Sequence, residues 1–344
     1  MTFRHRLATT AAFLLMVSSS AAFADPAPAG RQPTGLRVVK RIAGPDGGWD
    51  LASFDAARRR VYIAHASKVI SIDVDTGVVN FDFAAGEHLH DIVAVPGTGV
   101  LVTTNGGDDT ARVISAADGK LLKSIPVAKD ADGAQYDPKS GLVVVISGDG
   151  GALTLIDAKA MKAVGVIDIG TKLEFGAPDG KGRFFVNLVT KNQVAVVNLA
   201  ARKVTATYDL NACHHPTGIA YVAGDRLVVD CGDGGINILG ASSGRVLATF
   251  RVGGFPDAVI YDSRRRLAYV PSALGGTLTA IALSGPNDNT IVDTIPTQLG
   301  ARTGAVDPKS GRVYLPDADY VLPVPAGQRP KTKPGTFKIL VLDR

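Results

Sequence analysis

The sequence predicts an all-β protein, a seven-bladed β-propeller of four-stranded antiparallel blades, and three observations predict it. Segment starts of one pattern recur about every 42 residues, at Asp50, Asp91, Gly133, Gly176, Gly218, Ala258 and Gly304. Each start opens four short apolar runs divided by turns, as in Asp50-Leu-Ala-Ser-Phe-Asp, Val61-Tyr-Ile-Ala-His, Val69-Ile-Ser-Ile-Asp and Val79-Asn-Phe-Asp-Phe. One small four-stranded sheet cannot bury both faces alone, so copies at this period must stack. The third observation is a strand-like segment without a blade of its own, Leu36-Arg-Val-Val-Lys-Arg-Ile42, matched by a last repeat that ends at Phe337-Lys-Ile-Leu-Val-Leu-Asp343 with only a third strand. Pairing residues 36–42 with the C-terminal blade covers two sheet edges and closes the ring.

The elements follow in order. Residues 1–24 read as a cleaved signal peptide: Arg4-His-Arg6, an apolar stretch from Leu7 to Val17, and Ala22-Phe23-Ala24 before Asp25. The apolar stretch is too short to span a bilayer. Residues 25–35 are rich in Pro, Ala and Gly and read as a flexible tether, and 36–344 as the propeller. Export to a periplasm is the expected localisation. Turn residues punctuate the repeats, among them Asp75-Thr-Gly77, Ala117-Asp-Gly119, Pro138-Lys-Ser-Gly141 and Pro308-Lys-Ser-Gly311, while long stripes at helical spacing are missing, which argues against a helical solenoid. Gly-rich stretches at Asn105-Gly-Gly-Asp-Asp109, Ser147-Gly-Asp-Gly-Gly151 and Gly232-Asp-Gly-Gly235 recur between second and third runs, so they read as hairpin turns rather than phosphate or calcium loops.

The net charge of +5 falls to +3 without Arg4 and Arg6. The remaining basic residues sit singly or in loop clusters such as Arg58-Arg-Arg60 and Arg264-Arg-Arg266, without interleaved aromatics. That pattern argues against nucleic acid as a partner. In an oxidising compartment Cys213 and Cys231 are expected to form a disulfide across a hairpin. A metal site at Cys213-His214-His215 is the competing reading, disfavoured because neighbours in an extended strand face opposite ways.

Function is expected where the inner strands begin, because their entering loops crowd one face of the disc. Aligning the starts brings Trp49, Asp50, His88, His90, Asp91, Asp132, Glu174, Phe175, His214, His215, Asp257 and Arg302 to that channel mouth, including four of the six histidines. Three readings of these residues stand open. They satisfy loop amides around a water-filled channel. They form a recognition surface for a small ligand or a periplasmic protein, with Trp49 and Phe175 as apolar anchors and Arg302 as an anion contact. Or they are catalytic: calcium-dependent propeller lactonases use a Glu, Asn and Asp set facing the channel, which Glu174 and Asp257 resemble in part, although no Asn stands at any start. No Gly-x-Ser-x-Gly elbow, Walker loop or haem-attachment motif occurs, and no cofactor, membrane span or oligomer is expected.

The segments Ile72-Asp-Val-Asp-Thr-Gly77, Pro138-Lys-Ser-Gly-Leu-Val-Val-Val145, Arg226-Leu-Val-Val-Asp-Cys231 and Asp307-Pro-Lys-Ser-Gly-Arg-Val-Tyr-Leu315 give the chain a resemblance to the YncE-like, YVTN-repeat family of exported seven-bladed propellers. The resemblance covers 36–343, although the Tyr-Val-Thr-Asn motif is present only as variants, of which Leu101-Val-Thr-Thr-Asn105 comes nearest. It implies a periplasmic, mostly non-catalytic protein that binds partners or nucleic acid, with related propellers carrying haem or a quinone cofactor.

Overall fold

The fold follows from strands that have to be covered on both faces. In the computed structural model, which describes residues 32–285, 287–323 and 330–344, second and third strands such as Arg60–His65 and Lys68–Asp73 are almost wholly buried. Outer strands such as Lys162–Asp168 are mostly exposed. A strand buried on both faces reads as a continuous apolar run, which is why the middle runs of each repeat lack a polar alternation. Seven four-stranded antiparallel sheets result, each built from consecutive strands except the last. The core is not inside the blades but between them. Seven apolar clusters each join two neighbouring sheets, as Tyr62, Ala64 and Val69 of blade 1 meet Ile92, Leu101 and Ile114 of blade 2.

The last sheet is completed by the other end of the chain. Arg37–Ala43 pairs antiparallel with Lys338–Asp343, from Arg37 opposite Asp343 to Ala43 opposite Lys338, and forms the outer strand of blade 7. Leu36 is buried in the cluster between blades 6 and 7, and Thr34 binds the Asp293 carboxylate through its amide (2.9 Å) and its hydroxyl (2.6 Å). The end of the segment expected to be a tether is therefore held against blade 6. The expected signal peptide lies outside the described residues. Blades 7 and 1 are also joined by Arg59, whose guanidinium spans Asp75 and Asp307, at 2.6 Å to the latter.

Two inner strands are shorter than their repeats suggest. Blade 6 retains Ile260–Asp262 and blade 7 only Ala305–Val306. Pro256 keeps one isolated bridge, to Ser272, ahead of the strand in blade 6. Cys213 and Cys231 form the expected disulfide, with Cα atoms 5.4 Å apart, inside the cluster between blades 4 and 5. No described helix is long and apolar enough to cross a membrane.

Candidate functional site

The mouth is organised by a defect repeated around the ring. Five inner strands slip register at their start, between Trp49 and Ala52, Leu89 and Asp91, Ala131 and Gly133, Leu173 and Gly176, and Pro216 and Ile219. A β-bulge leaves a residue unpaired and re-aims its side chain. The residues inside these bulges include Asp50, His90, Asp132, Glu174 and Thr217, and Asp257 and Arg302 hold the equivalent places in blades 6 and 7. All seven are half-buried, and each follows a buried residue: Trp49, Leu89, Ala131, Leu173, Pro216, Pro256 or Ala301. The ring thus carries four carboxylates, one imidazole, one guanidinium and one hydroxyl, one group per blade.

Neighbouring blades brace the bulges. Thr104 donates its hydroxyl to the Asp132 carbonyl at 2.6 Å, the Asn187 amide to the Thr217 carbonyl at 2.6 Å, Thr217 to the Pro256 carbonyl at 3.1 Å, and Thr303 to the Asp50 carbonyl at 2.6 Å. Asp91, one step below the ring, accepts the amides of Ile92 and of Ala134 in the next blade, at 2.7 and 2.9 Å. These bonds fix the ring side chains on rigid strands rather than mobile loops.

His90 is the hub. Its Nδ1 lies 2.7 Å from Asp50 Oδ2 and 3.3 Å from Asp132 Oδ1, and one ligand atom from each of the three residues falls within 4.8 Å of the others. Its Nε2 is buried and has no hydrogen-bond partner among the described residues. Burial opposes charge on the imidazole, but the Asp50 hydrogen bond and the charges of Asp50, Asp132 and Asp130 outweigh it and carry its pKa up to about 8. The carboxylates repel one another. Burial, then Asp50, pushes Asp132 up to about 7, and burial, then Asp132, Asp257 and Asp50, pushes Glu174 up to about 9. Across the ring, Arg302 pairs with Asp257 at 2.9 Å, donates to the Trp49 carbonyl at 2.5 Å and lies 4.9 Å over the Trp49 ring.

Two glycines let this cluster pack directly against backbone. A Cβ on Gly106 would stand 2.7 Å from His90 Nε2 and 3.5 Å from Asp130 Oδ1, and one on Gly148 would stand 2.7 Å from Asp130 Oδ2 and 3.4 Å from Asp132 Oδ2. Both belong to the Gly-rich stretches read from sequence as hairpin turns, and they do turn the chain. They also let His90, Asp130 and Asp132 approach the backbone more closely than any side chain at these positions would allow.

The expected site residues separate into tiers. Asp50, His90, Asp132, Glu174, Asp257 and Arg302 form the ring. His88 and His215 stand two positions earlier, on the exposed rim; the His88 ring packs edge-on against His90 at 4.5 Å. Asp91 and Phe175 follow the ring and line the channel below it. Trp49 is 4% exposed and packs between blades 7 and 1, so its surface is taken by Phe337 and Arg302. His214 is exposed and faces Asn192 at 3.3 Å. Sequence reading did not single out Asp130, or Thr217 as the ring member of blade 5, and it missed Asp230 behind Thr217. Asp230 accepts from the Thr217 hydroxyl at 2.6 Å and the Gly218 amide at 2.7 Å, and burial raises its pKa to about 7. The available signal was a carboxylate inside the apolar run Arg226-Leu-Val-Val-Asp230.

No protein-family model matches the chain, and no curated protein matches it. Solved structures do. The chain is similar to a virginiamycin B lyase from Staphylococcus aureus (12% identity, 90% of this chain and 99% of that one, TM-score 0.70). It is similar to a Kuenenia stuttgartiensis hydrazine synthase (16% identity, 83% and 95%, TM-score 0.68) and to the protein U3-55K (12% identity, 90% and 99%, TM-score 0.71). At these identities the likeness establishes the propeller and nothing of its chemistry.

Proposed function

We propose that this protein is an exported, YncE-like binding protein that captures a divalent cation, or a small ligand carrying one, at the channel mouth. The observation that carries the reading is the Asp50, His90 and Asp132 cluster, set in a ring whose four carboxylates face only one guanidinium and one imidazole. Burial, and after it the neighbouring like charges, keeps protons on Asp132 and Glu174 near neutral pH, and a divalent cation removes that cost by replacing them. The mixed oxygen and nitrogen donors suit manganese or zinc as well as calcium. His90 Nδ1 and one carboxylate oxygen each from Asp50 and Asp132 stand close enough together to share one ion. Asp50, His90 and Asp132 would hold the ion, with Asp130 beside them; Arg302 keeps Asp257 in place.

Titration of the purified protein with manganese, zinc or calcium, read by calorimetry, tests this. Binding with release of protons is expected, and Asp132→Asn or His90→Ala weakens it at least tenfold, about 1.4 kcal/mol. Affinity unchanged in both variants would refute the assignment. A second reading, a metal-assisted hydrolase or lyase, is favoured by Glu174, whose carboxyl keeps its proton near neutral pH and sits in the same ring. A carboxyl of that kind serves as a general acid. Lactone or lyase turnover abolished by Glu174→Gln with cation affinity retained would decide for it.

A further inference from the structure

On the face of the disc opposite the mouth, four seams between blades are closed by an arginine that crosses from one blade to its neighbour. Arg183 reaches Asp225 and the Ala241 carbonyl, Arg226 the Leu283 and Asp288 carbonyls, Arg265 the Pro308 and Ser310 carbonyls, and Arg59 the Asp307 carboxylate. The seam between blades 3 and 4 has no such staple. In blade 6, Arg265 comes three residues after Asp262, donates to its carboxylate at 2.9 Å and packs on Gly311, where a Cβ would stand 2.5 Å from the guanidinium carbon. In blade 3 the residue three positions after the matching Asp137 is Ser140, too short to cross. Asp137 Oδ1 is left buried without a hydrogen-bond partner among the described residues, and the nearest atom to a Cβ on Gly182 of blade 4 is Lys139 Cγ at 3.7 Å.

A cavity of about 390 Å³ occupies this seam. Its surface is mostly apolar; Leu142 is half-buried there, and Leu155 and Leu199 stand behind it in the cluster between the two blades. Its charged lining is cationic throughout, Lys139, Lys181, Arg183 and Arg202, with no acidic residue. Asp179 and Asp225 engage Arg183, at 2.7 and 2.9 Å. Lys139, Lys181 and Arg202 form no ion pair among the described residues, and Arg202 donates to the Val164 carbonyl of blade 3 at 2.9 Å.

We propose that this seam is a second binding site, separate from the cation ring, for a small organic carboxylate with a slender apolar body. Three positive charges without counter-ions select an anion. The leucine side takes the body, which an inorganic anion would leave to water. The body is slender because the space lies between two packed sheets, about 10 Å apart, where one crossing side chain is missing.

Calorimetry with octanoate, octan-1-ol, octylamine and inorganic phosphate tests this. Octanoate is expected to bind at least tenfold more tightly than the other three, and equally with and without manganese. Lys139→Ala with Lys181→Ala weakens it about tenfold, at roughly threefold for each exposed charge pair. Ser140→Arg adds a positive charge yet abolishes octanoate binding, because the arginine fills the seam and takes Asp137 as its partner; a melting temperature at or above that of the unmodified protein shows that this variant is folded. Unchanged or stronger binding in Ser140→Arg, or unchanged binding in the lysine variant, overturns the inference. Phosphate bound as tightly as octanoate also overturns it, by reducing the site to a patch of charge, and octylamine bound in its place would assign the seam to a cation held by Asp137. Absence of octanoate binding refutes this site and leaves the cation reading, which manganese titration decides, untouched.

Discussion

Replacing Gly148 by alanine separates a cation site from a self-satisfied channel rim. The added Cβ would stand 2.7 Å from Asp130 Oδ2 and 3.4 Å from Asp132 Oδ2. Ordinary contact at about 3.4 Å requires the Asp130 carboxylate to retreat by about 0.7 Å, several times the 0.2 Å within which metal ligands are held. Retreat also costs Asp130 its bond from the Asp149 amide at 3.1 Å, about 1 kcal/mol. Against this, the Gly148 backbone lies outside the positive-φ set, so alanine returns about 0.5–1 kcal/mol of unfolded-state entropy. The two terms nearly cancel in stability, while cation affinity falls about tenfold or more. Gly106→Ala, 2.7 Å from His90 Nε2, behaves the same way. Gly232→Ala is the control in blade 5, where the nearest atom is 3.8 Å away. Manganese titration followed by thermal melting with and without the ion reads both quantities, since an ion bound only by the folded form raises the melting point with its occupancy. Undiminished manganese binding in both Gly106→Ala and Gly148→Ala would refute the reasoning.

Three further outcomes follow from the packing. Burial raises Asp91 and Asp230 to about 7, above their unfolded values, so the folded form holds the extra protons and their contribution to stability is complete below about pH 4 and lost as pH rises through 7; urea melts should show this decline, flattened in Asp230→Asn. Reduction of the Cys213–Cys231 bond, or Cys213→Ser with Cys231→Ser, frees a loop of sequence separation 18 and costs about 3 kcal/mol, read as a lower denaturation midpoint. Leu36→Ala, at 8% exposure in the cluster between blades 6 and 7, costs about 2–4 kcal/mol, and removal of residues 32–43 uncovers the outer edge of the last blade and drives association visible in light scattering.

The number of blades, the closing strand and the disulfide were all legible in the chain. They depend on local pattern and on the rule that a sheet buried on both faces needs neighbours. Runs such as Val61-Tyr-Ile-Ala64 and Leu142-Val-Val-Val-Ile146 are apolar throughout because each of their faces meets another blade, and that requirement is written in the residues themselves. The site was legible only as a neighbourhood. Alignment of repeats brought twelve residues to one mouth, but a bulge shifts side chains by one position, and no feature of composition announces a bulge. Register therefore decided that Asp50, His90, Asp132, Glu174, Asp257 and Arg302 share a ring, that Thr217 joins it and that Trp49 is spent on packing. Closure of the wheel decided the rest: it set six ionisable groups from six blades around one half-buried mouth, where burial first and the neighbouring carboxylates second raise Glu174.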